Sequence, residues 1–442
     1  MDPHPAPREG RRNGAAMTIS IFLFSLLGAM AIGMPIAFAL IVCGVALMYH
    51  LDIFDAQIIA QNLINGADSF PLMAAPFFLL AGEIMNTGGL SKRIVNVALT
   101  LVGHVRGGLG YVVIVASCIL ASLSGSAVAD AAALSALLYP MMVKAGHNPA
   151  KSAGLIAAGG IIGPIIPPSI GFIIFGVAAG LSITKLFLAG IVPGLLIGAG
   201  LAVAWWLEAR REGTVPPPRA SAREVVHAVV DGAWALALPG IIIFGLKFGI
   251  FTPTEAAVVC AVYALFVAMF IYKELKWKDL YKVFVSAAET TAVIMFLVAA
   301  ALVSAWLITI AELPGQVVAL LEPFMANKML LMLAMMVLVV IVGTALDMTP
   351  TILILTPVLM PIVNKAGIDP IYFGVLFIIN NSIGLITPPV GTVLNTVCGV
   401  TKIKMDDIIK GVWPFMIAQL VVLLLLVIFP VLVTGPARWF SG

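Results

Sequence analysis

The most constraining feature of this sequence is an interruption that occurs twice, at matching places in two long apolar segments. The two copies read Gly163-Pro164-Ile165-Ile166-Pro167-Pro168-Ser169 and Gly384-Leu385-Ile386-Thr387-Pro388-Pro389-Val390, 221 residues apart. The same spacing relates Pro149 to Pro370, so the sequence predicts an internal duplication. Because proline lacks a backbone N–H and clashes with the preceding turn, each Pro-Pro pair is expected to break a membrane helix. Paired breaks of this kind indicate a ligand site near the middle of the bilayer.

The composition is that of a polytopic membrane protein. Hydrophobic residues make up 62% of the chain, charged residues only 10%, and the mean hydropathy is +1.13. These values lie outside the range of soluble domains. The net charge of +3 predicts no particular partner, and nothing indicates nucleic-acid binding. The four cysteines lack the close spacing of metal or redox sites and are expected to be packing thiols: Cys43, Cys118, Cys260 and Cys398.

Two of the apolar segments are expected to enter the membrane without crossing it. Segments long enough to span a bilayer occur at 18–49, 69–87, 108–143, 152–180, 186–207, 232–250, 254–272, 284–311, 329–363, 370–400 and 411–433. The segments 108–143 and 329–363 are interrupted by Ser124-Gly125-Ser126 and Leu346-Asp347-Met348-Thr349-Pro350. Since each arm is marginal for a crossing, we predict two re-entrant hairpins with tips near the midplane.

The distribution of basic residues gives the predicted topology. With a cytoplasmic N-terminus and 18–49 as one crossing, 19 of the 24 Lys and Arg residues lie on the cytoplasmic side. This arrangement has nine crossings, two opposed hairpins and a periplasmic C-terminus. The predicted fold class is therefore an all-α polytopic membrane protein with two inverted-topology repeats, each containing a re-entrant hairpin and a Pro-Pro-broken helix.

The predicted domain organisation follows from the duplication. It comprises a polar N-terminal extension (1–16, with Met17 expected as the functional start), a first repeat (17–207), a cytoplasmic linker (208–231) and a second, inverted repeat (232–434). The interrupted elements are predicted to form a transport group (107–207 and 328–433), and the more continuous spans a scaffold (18–105 and 232–325). Amphipathic stretches at 90–105 and 313–325 are expected to be helices that lie along the membrane interface and between the two groups.

The hairpin tips and the breaks supply oxygen ligands suited to an alkali cation. One predicted sodium site uses Ser124, Ser126 and Gly163; the other uses Asp347, Thr349, Asn380, Thr387 and Gly391. A carboxylate at membrane depth is costly and is a functional candidate by default, which favours Asp347. Three alternatives stay open: small residues serving helix packing, Asp347 capping its own hairpin arm through the Thr349 and Thr351 amides, and Asp130 serving as either a cap or a ligand. Glu83 is assigned a structural role.

An anion is expected where helices restart after the breaks, near Ser169 and Thr392, because helix N-termini carry partial positive charge. Candidate substrate contacts are Ser126, Ser169, Thr392 and Asn395. With no central Lys or Arg, bound cations would have to help neutralise a carboxylate substrate. The sequence contains no nucleotide-binding Walker motif, zinc-protease signature or serine-nucleophile elbow, so we expect a transporter rather than an enzyme.

Five motifs in order resemble the large membrane subunit of tripartite ATP-independent periplasmic (TRAP) transporters. They are Ser-Gly-Ser-Ala-Val-Ala-Asp (124–130), Gly-Pro-Ile-Ile-Pro-Pro-Ser-Ile (163–170), Leu-Asp-Met-Thr-Pro (346–350), Gly-Ile-Asp-Pro (367–370) and Thr-Pro-Pro-Val-Gly (387–391). The resemblance implies a sodium-coupled elevator carrier in the bacterial inner membrane. It also implies two partners: a separate small four-helix membrane subunit, and a periplasmic binding protein that delivers an organic acid such as a C4-dicarboxylate, keto acid or sugar acid.

Two other classes stay open. A self-sufficient sodium-coupled dicarboxylate carrier of related inverted-repeat fold would need no delivery protein. A channel or membrane scaffold would need neither opposed hairpins nor a carboxylate at the midplane.

Overall fold

The computed structural model describes residues 9–212, 216–311, 315, 324–325, 327–388 and 390–441. Within this part of the chain every regular element is a helix, which confirms the predicted all-α class. Nine of these helices are long and apolar enough to cross a membrane. The structure is therefore that of a multi-pass membrane protein.

The described residues form ten helices in the first half of the chain and nine in the second. The first ten are α1 (Glu9–Ala31), α2 (Ile36–His50), α3 (Ala56–Ala67), α4 (Ala74–Thr87), α5 (Leu90–Val102), α6 (Gly108–Ser124), α7 (Ala127–Lys144), α8 (Pro149–Gly160), α9 (Ile170–Ala179) and α10 (Ile183–Ala209). The others are α11 (Ala222–Lys247), α12 (Pro253–Phe266), α13 (Trp277–Ile310), α14 (Lys328–Ala345), α15 (Met348–Lys365), α16 (Pro370–Gly384), α17 (Thr392–Thr401), α18 (Met405–Ile428) and α19 (Val431–Ser441).

Helix boundaries repeat between the two halves. Helices α7 and α15 begin 221 residues apart and also end 221 residues apart. Helices α8 and α16 both have proline at the first helical position, and their capping side chains, Asn148 and Asp369, accept hydrogen bonds from backbone amides of the first turn. The capping side chain and the proline each favour the start of the helix at this position. The duplication is therefore visible in the local structure as well as in the sequence.

Each predicted hairpin is a pair of helices whose two feet lie together. In hairpin 1 (α6–α7), the Trp205 indole donates to the Gly107 carbonyl at 2.7 Å, and its ring lies 5.4 Å from that of His147. In hairpin 2 (α14–α15), the Lys328 ammonium donates to the Gly367 carbonyl at 2.9 Å.

The two pairs of feet lie at opposite ends of the molecule. Helix α10 carries Trp205 beside the feet of hairpin 1, and Lys185 of the same helix shares a small cleft with Asp369 beside the feet of hairpin 2. Twenty helical residues separate these points by about 30 Å. We call the end with Trp205 and the 208–223 connection the linker end, and the other the far end.

The segment 18–49 is two antiparallel helices, so its prediction as one crossing was wrong. Gly33 adopts φ +84°, and Pro35 follows it. Proline cannot continue the hydrogen-bond ladder and glycine tolerates the left-handed turn, so the chain reverses there. The Thr18 hydroxyl consequently lies 3.4 Å from the His50 ring nitrogen.

This reversal places the start of α1 at the far end. Helix α2 runs parallel to α13, because the Phe38 and Phe296 rings lie 5.1 Å apart and the Ser304 hydroxyl donates to the Leu40 carbonyl. Helix α13 begins near the linker end, so the last residue of α2, and with it the beginning of α1, lies at the far end. The prediction of an N-terminus on the same side as the linker rested on the single crossing, whereas the start of α1 lies at the end opposite the linker.

A second difference from the prediction concerns the last scaffold span of each half, the one before the hairpin. In the second half it is one continuous helix, α13, which begins seven residues before the predicted 284. In the first half it is divided into α3, a 3₁₀ turn (Phe70–Met73) and α4. Helix α3 was missed because its glutamines and asparagines lower its hydropathy. The amphipathic stretch 90–105 contains α5, whereas 313–325 lies largely outside the described residues.

A candidate ion and substrate site between two hairpin tips

The tips of both hairpins line one cavity of about 610 Å³. Ser124 and Ser126 come from hairpin 1, and Asp347 and Thr349 from hairpin 2. Pro164 and Leu385 contribute one residue from each break, while α4 and α13 form the opposite wall. The structure thus brings together four predicted ligand residues, two from each hairpin. The two pairs are more than 200 positions apart in the chain.

Tip 1 packs against the break between α8 and α9 through its backbone. Gly125 ends α6 with φ +62°, and a Cβ added there would lie 2.4 Å from the Pro168 carbonyl oxygen. Ser126 begins α7, and its hydroxyl accepts a hydrogen bond from the Ala129 amide at 3.4 Å. Only glycine fits this close approach with this backbone conformation.

Asp130 lies beneath tip 1 as a buried carboxylate, and only one of its two oxygens has a hydrogen-bond partner among the described residues. It is 3% exposed, and its Oδ1 accepts from the Ser124 hydroxyl at 2.5 Å. Its Oδ2 has no hydrogen-bond partner among the described residues, and a Cβ added to Gly163 would lie 2.5 Å from it. Because Ser126 caps α7, Asp130 is not the cap. An unpaired buried carboxylate oxygen is costly, and a cation beside Gly163 and Ser124 would satisfy it.

Ser169 is placed away from the cavity. It is fully buried, and its hydroxyl donates to the Pro164 carbonyl while accepting from the Phe172 amide at 3.1 Å. Both interactions fix the restart of the helix at α9. The predicted substrate residue therefore caps the second half of the broken helix.

Tip 2 presents its carboxylate to the cavity. Asp347 is exposed, and its Oδ1 accepts from the Thr392 hydroxyl at 3.2 Å. The side chain makes no hydrogen bond to the amides of α15. Instead, the Thr351 hydroxyl donates to the Asp347 carbonyl at 2.9 Å. The capping alternative is therefore not formed, and Asp347 links tip 2 to the start of α17.

Two adjacent asparagines in α16 have buried carbonyl oxygens without partners in the described part of the chain. Asn380 donates to the Met336 carbonyl at 2.5 Å, alongside the arm of hairpin 2. Asn381 donates to the Met348 carbonyl at 3.1 Å, directly at the tip. Only Asn380 was predicted from the sequence, although a pair of amides inside an apolar helix is a recognisable signal for both asparagines.

Two predicted sodium residues, Thr387 and Gly391, and the predicted substrate residue Asn395 are not among the residues that line the cavity. The Thr387 hydroxyl donates to the Ile383 carbonyl at 2.8 Å and faces the Met416 sulfur. Gly391 begins α17 with φ +48°, and Asn395 donates to the Val390 carbonyl at 2.8 Å. Pro389 lies outside the described residues. All three residues belong to the second break, where the side chains of Thr387 and Asn395 are already hydrogen-bonded.

The scaffold contributes polar residues that the sequence analysis did not assign to the site. Glu83 and Asn86 of α4, and Glu289 and Thr290 of α13, line the cavity opposite the tips. Glu83 had been given a structural role, and the other three were missed. A glutamate within the predicted apolar span 284–311 was the available signal. The described lining contains Glu83, Glu289 and Asp347 but no Lys or Arg, so the cavity is acidic.

Comparisons with known proteins agree with these features. The sequence profile described as "Tripartite ATP-independent periplasmic transporter, DctM component" matches residues 23–432. The 2,3-diketo-L-gulonate TRAP transporter large permease protein of Escherichia coli (strain K12) is 59% identical over 425 residues, covering 96% of this chain and all of that protein. The sialic acid TRAP transporter large permease protein of Vibrio cholerae is 37% identical over 408 residues, covering 92% and 96% of the two chains.

The fold is also similar to a solved structure. The Alcanivorax borkumensis YdaH transporter, described as having an unusual topology, aligns with a TM-score of 0.63 at 15% identity, covering 94% of this chain and 98% of that one. This likeness concerns the fold alone. With a family profile over most of its length and two relatives matched almost end to end, the chain belongs to the DctM family of TRAP transporter large permeases.

Proposed function

We propose that this protein is the transport subunit of a TRAP system in a bacterial inner membrane and imports an organic carboxylate together with sodium. The observation that carries the proposal is that two hairpins, with feet at opposite ends of the molecule, bring their tips into one acidic cavity. Broken helices beside both tips supply backbone groups at the same level. Such an arrangement is suited to binding ions and an anion between two alternately opened sides.

The linker end is proposed to be cytoplasmic, because most basic residues lie there. With 18–49 as two helices and the hairpins non-crossing, ten crossings result. The start of α1 and the end of α18 then both lie in the periplasm, and the two repeats have inverted topology. This differs from the sequence prediction in the N-terminus and agrees with it in the C-terminus.

Sodium is proposed to bind at one site per repeat. In the first, the unpaired Oδ2 of Asp130 would join Ser124 and the backbone at Gly163. In the second, Asp347 would be the charged ligand, with Thr349 and the Asn381 carbonyl oxygen nearby. Carboxylate, hydroxyl and carbonyl oxygens are the hard ligands that alkali and alkaline-earth cations prefer. The bound cations would offset the negative charge of the cavity and allow a carboxylate to enter.

The substrate is proposed to be a sugar acid or keto acid. Support comes from the 59% identity to a large permease named for 2,3-diketo-L-gulonate. The cavity wall formed by Glu83, Asn86, Glu289 and Thr290 offers acceptors for substrate hydroxyl groups. A separate small four-helix subunit and a periplasmic binding protein complete the proposed system, and membership in a tripartite family favours this over a self-sufficient carrier.

An elevator is the proposed movement. The cavity lies between a transport group (107–207 and 328–433) and scaffold helices α4 and α13, so a bound substrate would touch both groups. Displacement of the transport group along the membrane normal would carry both tips with their ligands from one side to the other.

Reconstitution tests the proposed function. Proteoliposomes containing the chain and its small subunit, supplied with loaded binding protein, are expected to take up labelled substrate under an inward sodium gradient and not under a potassium gradient. Uptake without binding protein would support the self-sufficient carrier. Downhill leakage independent of sodium would contradict coupled transport altogether.

A further inference from the structure

A second and larger cleft, of about 1070 Å³, opens at the linker end away from the hairpin tips. One wall is the foot of hairpin 1 with the α5–α6 corner. The other is the linker segment 217–220 with the first turns of α11. Nothing in the transport chemistry described above uses this cleft.

The cleft carries positive charge that the described residues do not neutralise. Lys144 projects from the hairpin wall, and Arg219 and Arg223 lie on the linker wall. None of the three forms an ion pair within the described part of the chain. The acidic residue of the described lining, Glu224, accepts hydrogen bonds at Oε2 from the amide and the hydroxyl of Ser221 at 2.7 Å each, and the three cations outnumber it.

A neighbouring cleft contains a cation that is neutralised by carboxylates of the protein itself. There Arg93 is bound by Asp231 at 3.2 Å and by Glu274 at 2.6 Å, and it stacks on the Tyr272 ring at 3.7 Å. The larger cleft has no such partners for its cations. His104, on its wall, adds a buried ring nitrogen without a hydrogen-bond partner among the described residues. The three exposed cations and the His104 nitrogen are therefore available to an anionic ligand.

The rest of the lining is apolar and continuous with the membrane-spanning helices. Leu99, Leu109 and Met141 lie on the hairpin side, and Pro217 with Ala228 on the linker side. The cleft lies where α7 ends and α11 begins, which is the level of lipid headgroups if these helices span the bilayer. Basic pockets between helices at this level are typical sites for anionic headgroups.

We propose that this cleft binds a phosphate group, and that the phosphate is that of an anionic phospholipid whose acyl chains follow the apolar lining. The headgroup would bridge Lys144 on hairpin 1 to Arg219 and Arg223 on the linker. It would therefore connect an element of the transport group to the connection between the two halves. The proposal goes beyond the transport function and does not depend on sodium coupling.

Native mass spectrometry of the purified full-length chain in a neutral detergent tests the proposal. Short-chain phosphatidylglycerol is titrated against phosphatidylcholine of the same chain length, and glycerol phosphate and inorganic phosphate are added as water-soluble competitors. We expect retained phosphatidylglycerol adducts, little retention of phosphatidylcholine, and weak competition by the two soluble phosphates. Competition by glycerol phosphate at the same concentration as the lipid would overturn the lipid assignment.

Variants locate the site. The double variant R219Q/R223Q is expected to weaken phosphatidylglycerol binding about 25-fold, since each basic residue near an anionic lipid contributes roughly a fivefold change in affinity. K144Q, on the opposite wall, is expected to weaken it about fivefold. K278Q/K282Q removes the same charge at the start of α13 outside the cleft and should leave binding unchanged. Equal loss in both double variants would overturn the proposal, because it would reflect overall charge alone.

Discussion

The two hairpins share a backbone plan but place their carboxylates in opposite ways. In hairpin 1 the carboxylate is Asp130, one turn inside α7 and 3% exposed. In hairpin 2 it is Asp347, at the tip and open to the cavity. The spacing of 221 residues pairs Asp130 with Thr351 and Asp347 with Ser126, so each carboxylate corresponds to a hydroxyl in the other repeat.

This exchange shows what the duplication preserves. Helix boundaries and breaks coincide because caps and prolines act locally and were copied with the chain. The polar groups diverged: Gly160, packed against Ala131, corresponds to Asn381, whose amide reaches the tip of hairpin 2. The first of the two proposed sodium sites is therefore the more enclosed, while the second opens onto the cavity. Removing charge should consequently have a larger effect at the enclosed site.

The largest effect is expected for D130N. The substitution retains the size of the side chain and removes the charge that a buried cation requires, so sodium-driven uptake should fall about 100-fold, as for interactions with a charged group worth roughly 3 kcal/mol. Uptake of labelled substrate by proteoliposomes measures it. S135A, a buried change in the same helix away from the cavity, serves as the control and should stay within about twofold of wild type. Wild-type uptake by D130N would remove Asp130 from the ion site.

A smaller effect is expected for D347N, because this carboxylate is exposed and water can partly replace it. The sodium concentration for half-maximal uptake should rise about tenfold, in line with a contribution of roughly 1.5 kcal/mol. The protein should stay folded, since the side chain makes a single hydrogen bond, to Thr392. D369N is the matched control, because asparagine caps a helix as well as aspartate does. An unchanged sodium dependence in D347N would contradict the second site.

Two glycine substitutions separate the effect of packing at tip 1 on stability from the effect of backbone strain alone. G125A combines a left-handed φ of +62° with a Cβ 2.4 Å from the Pro168 oxygen. We expect the free energy of unfolding to fall by more than about 2 kcal/mol. G146A has φ +88° but nothing within 4 Å of the added Cβ, so strain alone should cost about 1 kcal/mol. Equal shifts in thermal unfolding would mean that tip 1 does not pack against the break.

The smallest effect is expected for the pH dependence of stability, through an interaction at the foot of hairpin 1. Burial raises the pKa of Glu212, but hydrogen bonds from His147 and the Asn148 amide outweigh it, and the pKa lies below its ordinary value of 4.5. Because the folded pKa is the lower one, this interaction stabilises the protein above pH 4.5 and is lost as the pH falls through the lowered value. Thermal unfolding of wild type and E212Q between pH 7 and pH 3 should show a smaller acid-induced loss of stability in E212Q. Identical pH profiles would exclude this contribution.

Much of the fold could be predicted because the residues that interrupt its helices act locally. The Pro-Pro pairs and the Ser124-Gly125-Ser126 and Asp347–Pro350 interruptions mark the hairpins and broken helices without tertiary information. The prediction failed at Gly33-Met34-Pro35, because a short apolar turn leaves no dip in hydropathy. It failed again at α3, because four amide side chains made a helix of 12 residues look like a loop.

The site was predictable only in part for a different reason. Tip residues follow from the interruptions, but the contacts of Asp130, Asn381 and Glu289 depend on how separate helices pack and on which faces they turn to each other. Hydroxyl groups such as those of Ser169 and Thr387 have nearby backbone carbonyls to bind, and they are used there instead. A single sequence does not resolve that competition.

The central claim, that each repeat holds one sodium site serving the same cavity, is tested most directly by sodium titration of uptake in the reconstituted system. Two sites predict a cooperative titration with a Hill coefficient clearly above one in the wild type. D130N and D347N should each lower the coefficient toward one, through different sites. A Hill coefficient of one in the wild type, with unchanged titrations in both variants, would contradict the account.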